Sequence, residues 1–143
     1  MSLKKIIALY ASSDAGKTTT LNILIDILRI VSDSYTISKE YDAYATFEFN
    51  NETICVCTGG DSKDVITNNI NYFKSEKCTI AVSATRTKGD GKELYDNFAT
   101  QQKLKVIKVH KDEEPDTSRL YAAKLFQIIT EKIDIEVENL ENE

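Results

Sequence analysis

Residues 4–31 read as a strand, a short loop and a helix joined without interruption. Lys4-Lys5-Ile6-Ile7-Ala8-Leu9-Tyr10 is a continuous, mostly apolar run of strand length. A run of this kind suits a strand buried on both faces. The loop Ala11-Ser12-Ser13-Asp14-Ala15-Gly16-Lys17-Thr18 follows. In residues 18–31, Leu21, Leu24, Ile25 and Leu28 recur at i, i+3, i+4 and i+7, which is one face of a helix.

The rest of the chain repeats this alternation. Thr46-Phe47-Glu48-Phe49 and Thr53-Ile54-Cys55-Val56-Cys57 flank Asn50-Asn51-Glu52, a pattern that predicts an antiparallel hairpin. Thr58-Gly59-Gly60 breaks the second strand. Asp61 is placed to cap a helix whose core face is Ile66, Ile70 and Phe73. Residues 79–83 form a strand, 85–91 a charged loop, and Leu94, Tyr95 and Phe98 mark a short helix. Residues 104–109 are the last strand. After Glu113-Glu114-Pro115-Asp116 comes a helix carrying Leu125, Ile128, Ile129 and Ile133. Residues 32–43, polar and tyrosine-containing, read as a loop. Strands alternating with helices predict a three-layer α/β/α domain. Its sheet is expected to have about five strands, mainly parallel, with one antiparallel edge hairpin. No linker or repeat divides residues 1–133.

The loop after the first strand carries the chemistry. Gly16, Lys17 and Thr18 match the end of the Walker A pattern G-x-x-x-x-G-K-[ST], and Ala11 stands at its first glycine. Successive backbone N–H groups in such a loop form an anion nest, and the helix N-terminus adds a positive dipole end. Gly16 brings the backbone close to a phosphate, and Lys17 is a mobile charge that reaches the β- and γ-phosphates. The expected nucleotide-binding set is Ser12, Ser13, Asp14, Ala15, Gly16, Lys17, Thr18 and Thr19, with Asp14 bracing the loop.

On these residues the chain resembles the P-loop nucleoside triphosphate hydrolase and kinase superfamily. The resemblance is specific over residues 4–31 and architectural elsewhere. It implies binding of ATP or GTP with Mg²⁺, the ion held by the Thr18 hydroxyl and by an acid near the end of a second strand. Cys57 occupies the place of that acid in the D-x-x-G pattern of GTPases. Asp61, four residues later, either helps hold Mg²⁺ or a water, or serves only as a helix cap. Thr87-Lys88-Gly89-Asp90 resembles the guanine-reading [NT]-K-x-D motif, but Ala84, Thr85 and Arg86 separate it from its strand, and Val109-His110-Lys111 stands where S-A-[KL] belongs. Arg86 and Lys88, in a loop with two glycines, suit a lid over phosphates, and the alternative is a solvated surface loop. Lys17, Asp61 and Arg86 are the candidate catalytic residues. Tyr35, Tyr41 and Tyr44 either stack on a base or pack on the domain's own edge.

Composition narrows the class. Residues 131–143 carry six acids against one base, so the whole −5 net charge sits there and the remainder is neutral. A neutral domain lacks the basic stripe of a nucleic-acid binder, and residues 134–143 read as a solvated acidic tail. No apolar run approaches the roughly 18 residues of a membrane span. The start has no signal-peptide pattern, so a cytoplasmic location is expected. Cys55, Cys57 and Cys78 fall in or beside apolar runs and suit buried, reduced thiols. The lone His110 offers no metal cluster.

Three functions fit: a small ATPase or kinase-like phosphotransferase with an unknown acceptor, a GTPase-like nucleotide-dependent switch that binds a protein partner and hydrolyses slowly, and a degenerate binding module without turnover.

Overall fold

The computed structural model describes residues 2–12, 15–39, 41–87 and 89–131. Its elements in chain order are β1 (Lys5–Tyr10), α1 (Lys17–Val31), β2 (Ser34–Lys39), β3 (Ala43–Phe49), β4 (Glu52–Cys57), α2 (Lys63–Glu76), β5 (Ile80–Thr85), α3 (Asp90–Gln101), β6 (Val106–His110), a 3₁₀ turn (Pro115–Thr117) and α4 (Ser118–Thr130). Ile133 and the acidic tail, 134–143, lie outside the described residues, and so does the expected domain boundary.

Side-chain alternation along β1 explains why the sheet is covered on both sides. Ile7 and Leu9 enter one apolar layer with Leu21, Leu24 and Leu28 of α1 and Leu125 of α4. Ile6, Ala8 and Tyr10 enter the other with Ile66 and Phe73 of α2 and Tyr95 and Phe98 of α3. Each large apolar side chain fully buried this way contributes about 1.5–3 kcal/mol. Lys5 fastens the far end of α4. Its Nζ donates to the carbonyls of Ile128 at 2.6 Å, Ile129 at 3.5 Å and Glu131, three acceptors at a helix C-terminus. Burial lowers the pKa of this ammonium, against the upward pull of Glu131.

The fold is α/β, but the sheet is mixed rather than mainly parallel, and it has six strands in the order β2-β3-β4-β5-β1-β6. β1 pairs parallel with β5 and β6, and β4 with β5. β3 pairs antiparallel with both β2 and β4. The extra strand is residues 34–39, expected to be a loop. As an edge strand it stays largely exposed, so its sequence needs no apolar alternation. The β3–β4 hairpin is as expected, with Asn50 and Asn51 in the left-handed region at φ 52° and 64°, which asparagine tolerates well in tight turns.

The topology creates a crevice. β1 and β5 are neighbours with Tyr10 opposite Thr85 at their carboxyl ends. The helix after β1 packs on one face and the helix after β5 on the other. Adjacent strands whose connections leave to opposite faces form the switch point at which open α/β sheets bind ligands.

Candidate functional site

The described residues between β1 and α1, 11–12 and 15–16, lie at this end of the sheet, where Ala11 N–H donates to Thr85 O. Gly16 is the N-cap of α1 at φ 83°, ψ 24°, a conformation that favours glycine. A Cβ there would lie 3.0 Å from Ser118 Oγ, so the start of α4 also presses against it. Glycine has no side chain with which to cap the helix, and the first turn of α1 holds no acid. The positive end of the helix dipole is left for an anion. Thr18 and Thr19 are exposed in that turn, while Thr20 is buried and its hydroxyl donates back to Gly16 O at 2.7 Å.

Ala11 needs no glycine. It is absent from the described residues with positive φ, it is buried, and its N–H donates to Thr85 O at 3.3 Å. Ala15 N–H donates to Ser12 O at 3.3 Å, and the Ser12 hydroxyl donates to Glu113 at 3.1 Å. Ser13 and Asp14 lie outside the described residues.

Three of the expected residues converge at the crevice. Lys17 Nζ donates to Asp61 Oδ1 at 3.0 Å and to Ala11 O at 3.3 Å. Arg86 Nε lies 3.6 Å from the same Asp61 oxygen. The Lys17 side chain is only 6% exposed, while those of Asp61 and Arg86 are 64% and 50% exposed. The hydrogen bond from Lys17 is the main reason the Asp61 carboxyl sits below its ordinary pKa. Asp61 is therefore a carboxylate shared by two cations and not a helix cap. Ser62 caps α2, accepting from Val65 N–H at 3.2 Å.

The glycines before Asp61 are there for close approach. A Cβ on Gly60 would stand 2.4 Å from Ala84 O of β5, and one on Gly59 would stand 2.6 Å from an Asp42 carboxylate oxygen. Cys57 is wholly buried, and burial raises its thiol pKa. A neutral thiol facing the core cannot stand in for the missing acid.

Other expected features fall elsewhere. Gly91 is not a hinge: it lies inside α3 with Ile66 packed where a Cβ would go. Gly89 is the N-cap of α3 at φ 104°, with open space where a Cβ would stand. Lys88 lies outside the described residues. Tyr35 packs on Phe47 and under Arg29, and Tyr44 packs on Tyr72. Tyr35 sits on the edge strand β2 and Tyr44 on β3 against α2, so both pack within the domain, whereas Tyr41 is 94% exposed. A cavity of about 820 Å³ opens at the opposite, amino-terminal edge of the sheet, among Lys5, Phe49, Ile54, Ile80 and Ile129. It does not touch Lys17, Asp61 or Arg86, and a phosphate cradle built from backbone at a helix start requires no such cavity.

Sequence reading missed Lys111. Its side chain is buried behind Gly16, and its Nζ donates to the carbonyls of Asp112 and Glu114 and to Thr117 Oγ1 at 3.0–3.3 Å. A lysine directly after the last strand was the only available signal.

Compared with known proteins, the chain matches no family model, no curated protein and no solved structure. Among the described residues, no helix is long and apolar enough to cross a membrane.

Proposed function

We propose that this chain binds a nucleoside triphosphate, ATP or GTP, with Mg²⁺ at the N-terminus of α1, and that it is a small P-loop ATPase or kinase-like phosphotransferase. The observation that carries this reading is the meeting of Lys17, Asp61 and Arg86 within 3.0–3.6 Å at the switch point, beside a helix start opened by Gly16 at positive φ.

The fit to Mg²⁺ rests on the donor set. Among the described residues no group of three His, Cys, Asp or Glu forms a metal cage. Mg²⁺ is ordinarily held by one or two carboxylates together with substrate phosphates and waters, and exposed Thr18 and Asp61 supply oxygens of that kind. When bound, the ion supplies Lewis-acid stabilisation of charge on the phosphate oxygens. Lys17 leaves Asp61 for the phosphates, which frees the Asp61 carboxylate. Arg86, released from the same carboxylate, turns its guanidinium to the transferring group. The N–H groups at the start of α1 fix the anion without side-chain reorganisation.

The second reading is a nucleotide-dependent switch with a protein partner. It is favoured by the Thr58–Asp61 loop, whose carboxylate must change partners when phosphates arrive. Nucleoside diphosphate formation by wild-type protein, with and without candidate acceptors, set against the same rate in Asp61→Asn, separates the readings, because hydrolysis and phosphoryl transfer both yield the diphosphate. An enzyme loses turnover with the acid. A chain that binds ATP or GTP and forms diphosphate only slowly is a switch, and one that binds but forms none with any acceptor is a binding module.

A further inference from the structure

Asn69 is a wholly buried amide in the apolar layer between the sheet, α2 and α3. Its Nδ2 donates to the Gly59 carbonyl at 2.9 Å and to the Tyr95 hydroxyl at 3.0 Å. Both N–H groups of the amide are thus engaged, while its buried Oδ1 has no hydrogen-bond partner among the described residues, so the two donated bonds are what the buried amide gains. Burying an amide among apolar side chains is unfavourable unless it is hydrogen-bonded. A helix position suited to leucine is used instead to reach a loop.

That loop is held from three sides. Thr58 N–H donates to Ala43 O at 3.1 Å, and Ala43 N–H donates to Thr58 Oγ1 at 2.8 Å. Gly60 is backed against Ala84 O. Asn69 grips Gly59 between them. Asp61 itself is mostly exposed, so apart from Lys17 and Arg86 it is the backbone carrying it that sets where its carboxylate stands.

We propose that Asn69 is a positioning residue: by holding the Gly59 carbonyl it fixes the loop that carries Asp61 opposite Lys17, a role in catalysis that rests on the reading of these two residues as a triphosphate site. Asn69 touches neither nucleotide nor reacting atoms and acts through Gly59. Tyr95, the other partner of the amide, belongs to the same buried layer but does not contact the loop through this bond. Loss of its hydroxyl therefore removes packing and polar satisfaction without releasing Gly59.

The test pairs backbone ¹⁵N relaxation of the nucleotide-free protein with phosphate-release kinetics on Mg·ATP and Mg·GTP. Wild-type Gly59, Gly60 and Asp61 are expected to show order parameters near the rigid value of about 0.85, falling below about 0.6 in Asn69→Leu. Tyr95→Phe keeps the loop rigid. Turnover in Asn69→Leu falls roughly 10- to 100-fold through misplacement of the acid, with KM within about twofold. In an Asp61→Asn background the same substitution lowers turnover no further. If Asn69→Leu does not fold, Asn69→Ser removes the same donor with a smaller side chain and takes its place. A loop that stays rigid without the amide overturns the proposal. So does an equal loss in Tyr95→Phe, or additive losses in the double variant. If wild type releases no phosphate, the relaxation data alone decide whether Asn69 positions the loop, and it is the reading of Asp61 as part of a hydrolase that falls, while triphosphate binding is tested separately by titration.

Discussion

Lys17 and Asp61 form a 3.0 Å hydrogen-bonded ion pair between the helix after β1 and the loop after β4, two strands that are not neighbours. β5 lies between them, and the pair bridges its carboxyl end. Gly59 and Gly60 make this reach possible, because side chains there would collide with Asp42 and Ala84.

The pairing gives Asp61→Asn two separable consequences. Asparagine keeps the size of the side chain but not its charge. Turnover should fall by roughly 100-fold or more, as for loss of one electrostatic stabiliser. Affinity for triphosphate without Mg²⁺ should rise, because Lys17 no longer has a competing carboxylate. Equal turnover in variant and wild type would remove Asp61 from the chemistry.

How far the residues announced all this differs by element. The helix α1 was legible because Leu21, Leu24, Ile25 and Leu28 repeat on one face, and all four are buried. The Asn50-Asn51 turn was legible from its residue types. β2 was not, because an exposed edge strand buries too little to leave an apolar pattern. Strand order was also hidden, since nothing local to β4 says that β5 will separate it from β1. At the candidate site, Lys17 and Thr18 stood out by motif. Asp61 and Arg86 were visible only as charged residues near glycines, and their meeting depends on that strand order. Asn69 carried no signal and Lys111 only its place after the last strand, because burial of a polar side chain is a tertiary fact.

Tyr10 offers a test of the core at alkaline pH. Its hydroxyl is buried with no hydrogen-bond partner among the described residues, and burial pushes its pKa up to about 12. The folded value exceeds the ordinary value of about 10. The stabilisation from keeping this phenol neutral is therefore complete below about pH 10 and is lost as pH rises toward 12. Tyr10→Phe should melt at or above the wild-type temperature at pH 8, since an unpaired buried hydroxyl is unfavourable. Its melting temperature should also fall less than wild type between pH 10 and 12. A sharper alkaline loss in the variant would contradict this placement.

The three cysteines should be inert in the folded protein. Cys55, Cys57 and Cys78 are buried free thiols. Burial raises the pKa of Cys57, and the contact with Cys55 together with burial raises that of Cys78. Alkylation by iodoacetamide at pH 7.5, about one unit below the free-thiol pKa, should label none of them until denaturant is added. Rapid labelling of native protein would show that the layer beneath α2 opens.

Removal of residues 134–143 should leave triphosphate affinity within about twofold, because screened charge acts weakly beyond a Debye length. The anchor of α4 is Lys5 on the carbonyls of Ile128, Ile129 and Glu131, which the deletion keeps. Paired titrations of full-length and shortened protein check this. A loss well beyond twofold would mean that the tail contributes to the site.

The most direct measurement is calorimetric titration of wild type and Lys17→Ala with ATP and GTP, with and without Mg²⁺, using the diphosphates as controls. Wild type should bind at least one triphosphate, more tightly with Mg²⁺ than without and more tightly than the diphosphate. Lys17→Ala should lose roughly 10- to 100-fold in affinity, the worth of a hydrogen bond to a charged group at about 1.5–3 kcal/mol. Its nucleotide-free melting temperature should stay close to wild type, because Asp61 is mostly exposed and returns to water. No binding by wild type, or equal binding by wild type and Lys17→Ala, would contradict a triphosphate site at the start of α1.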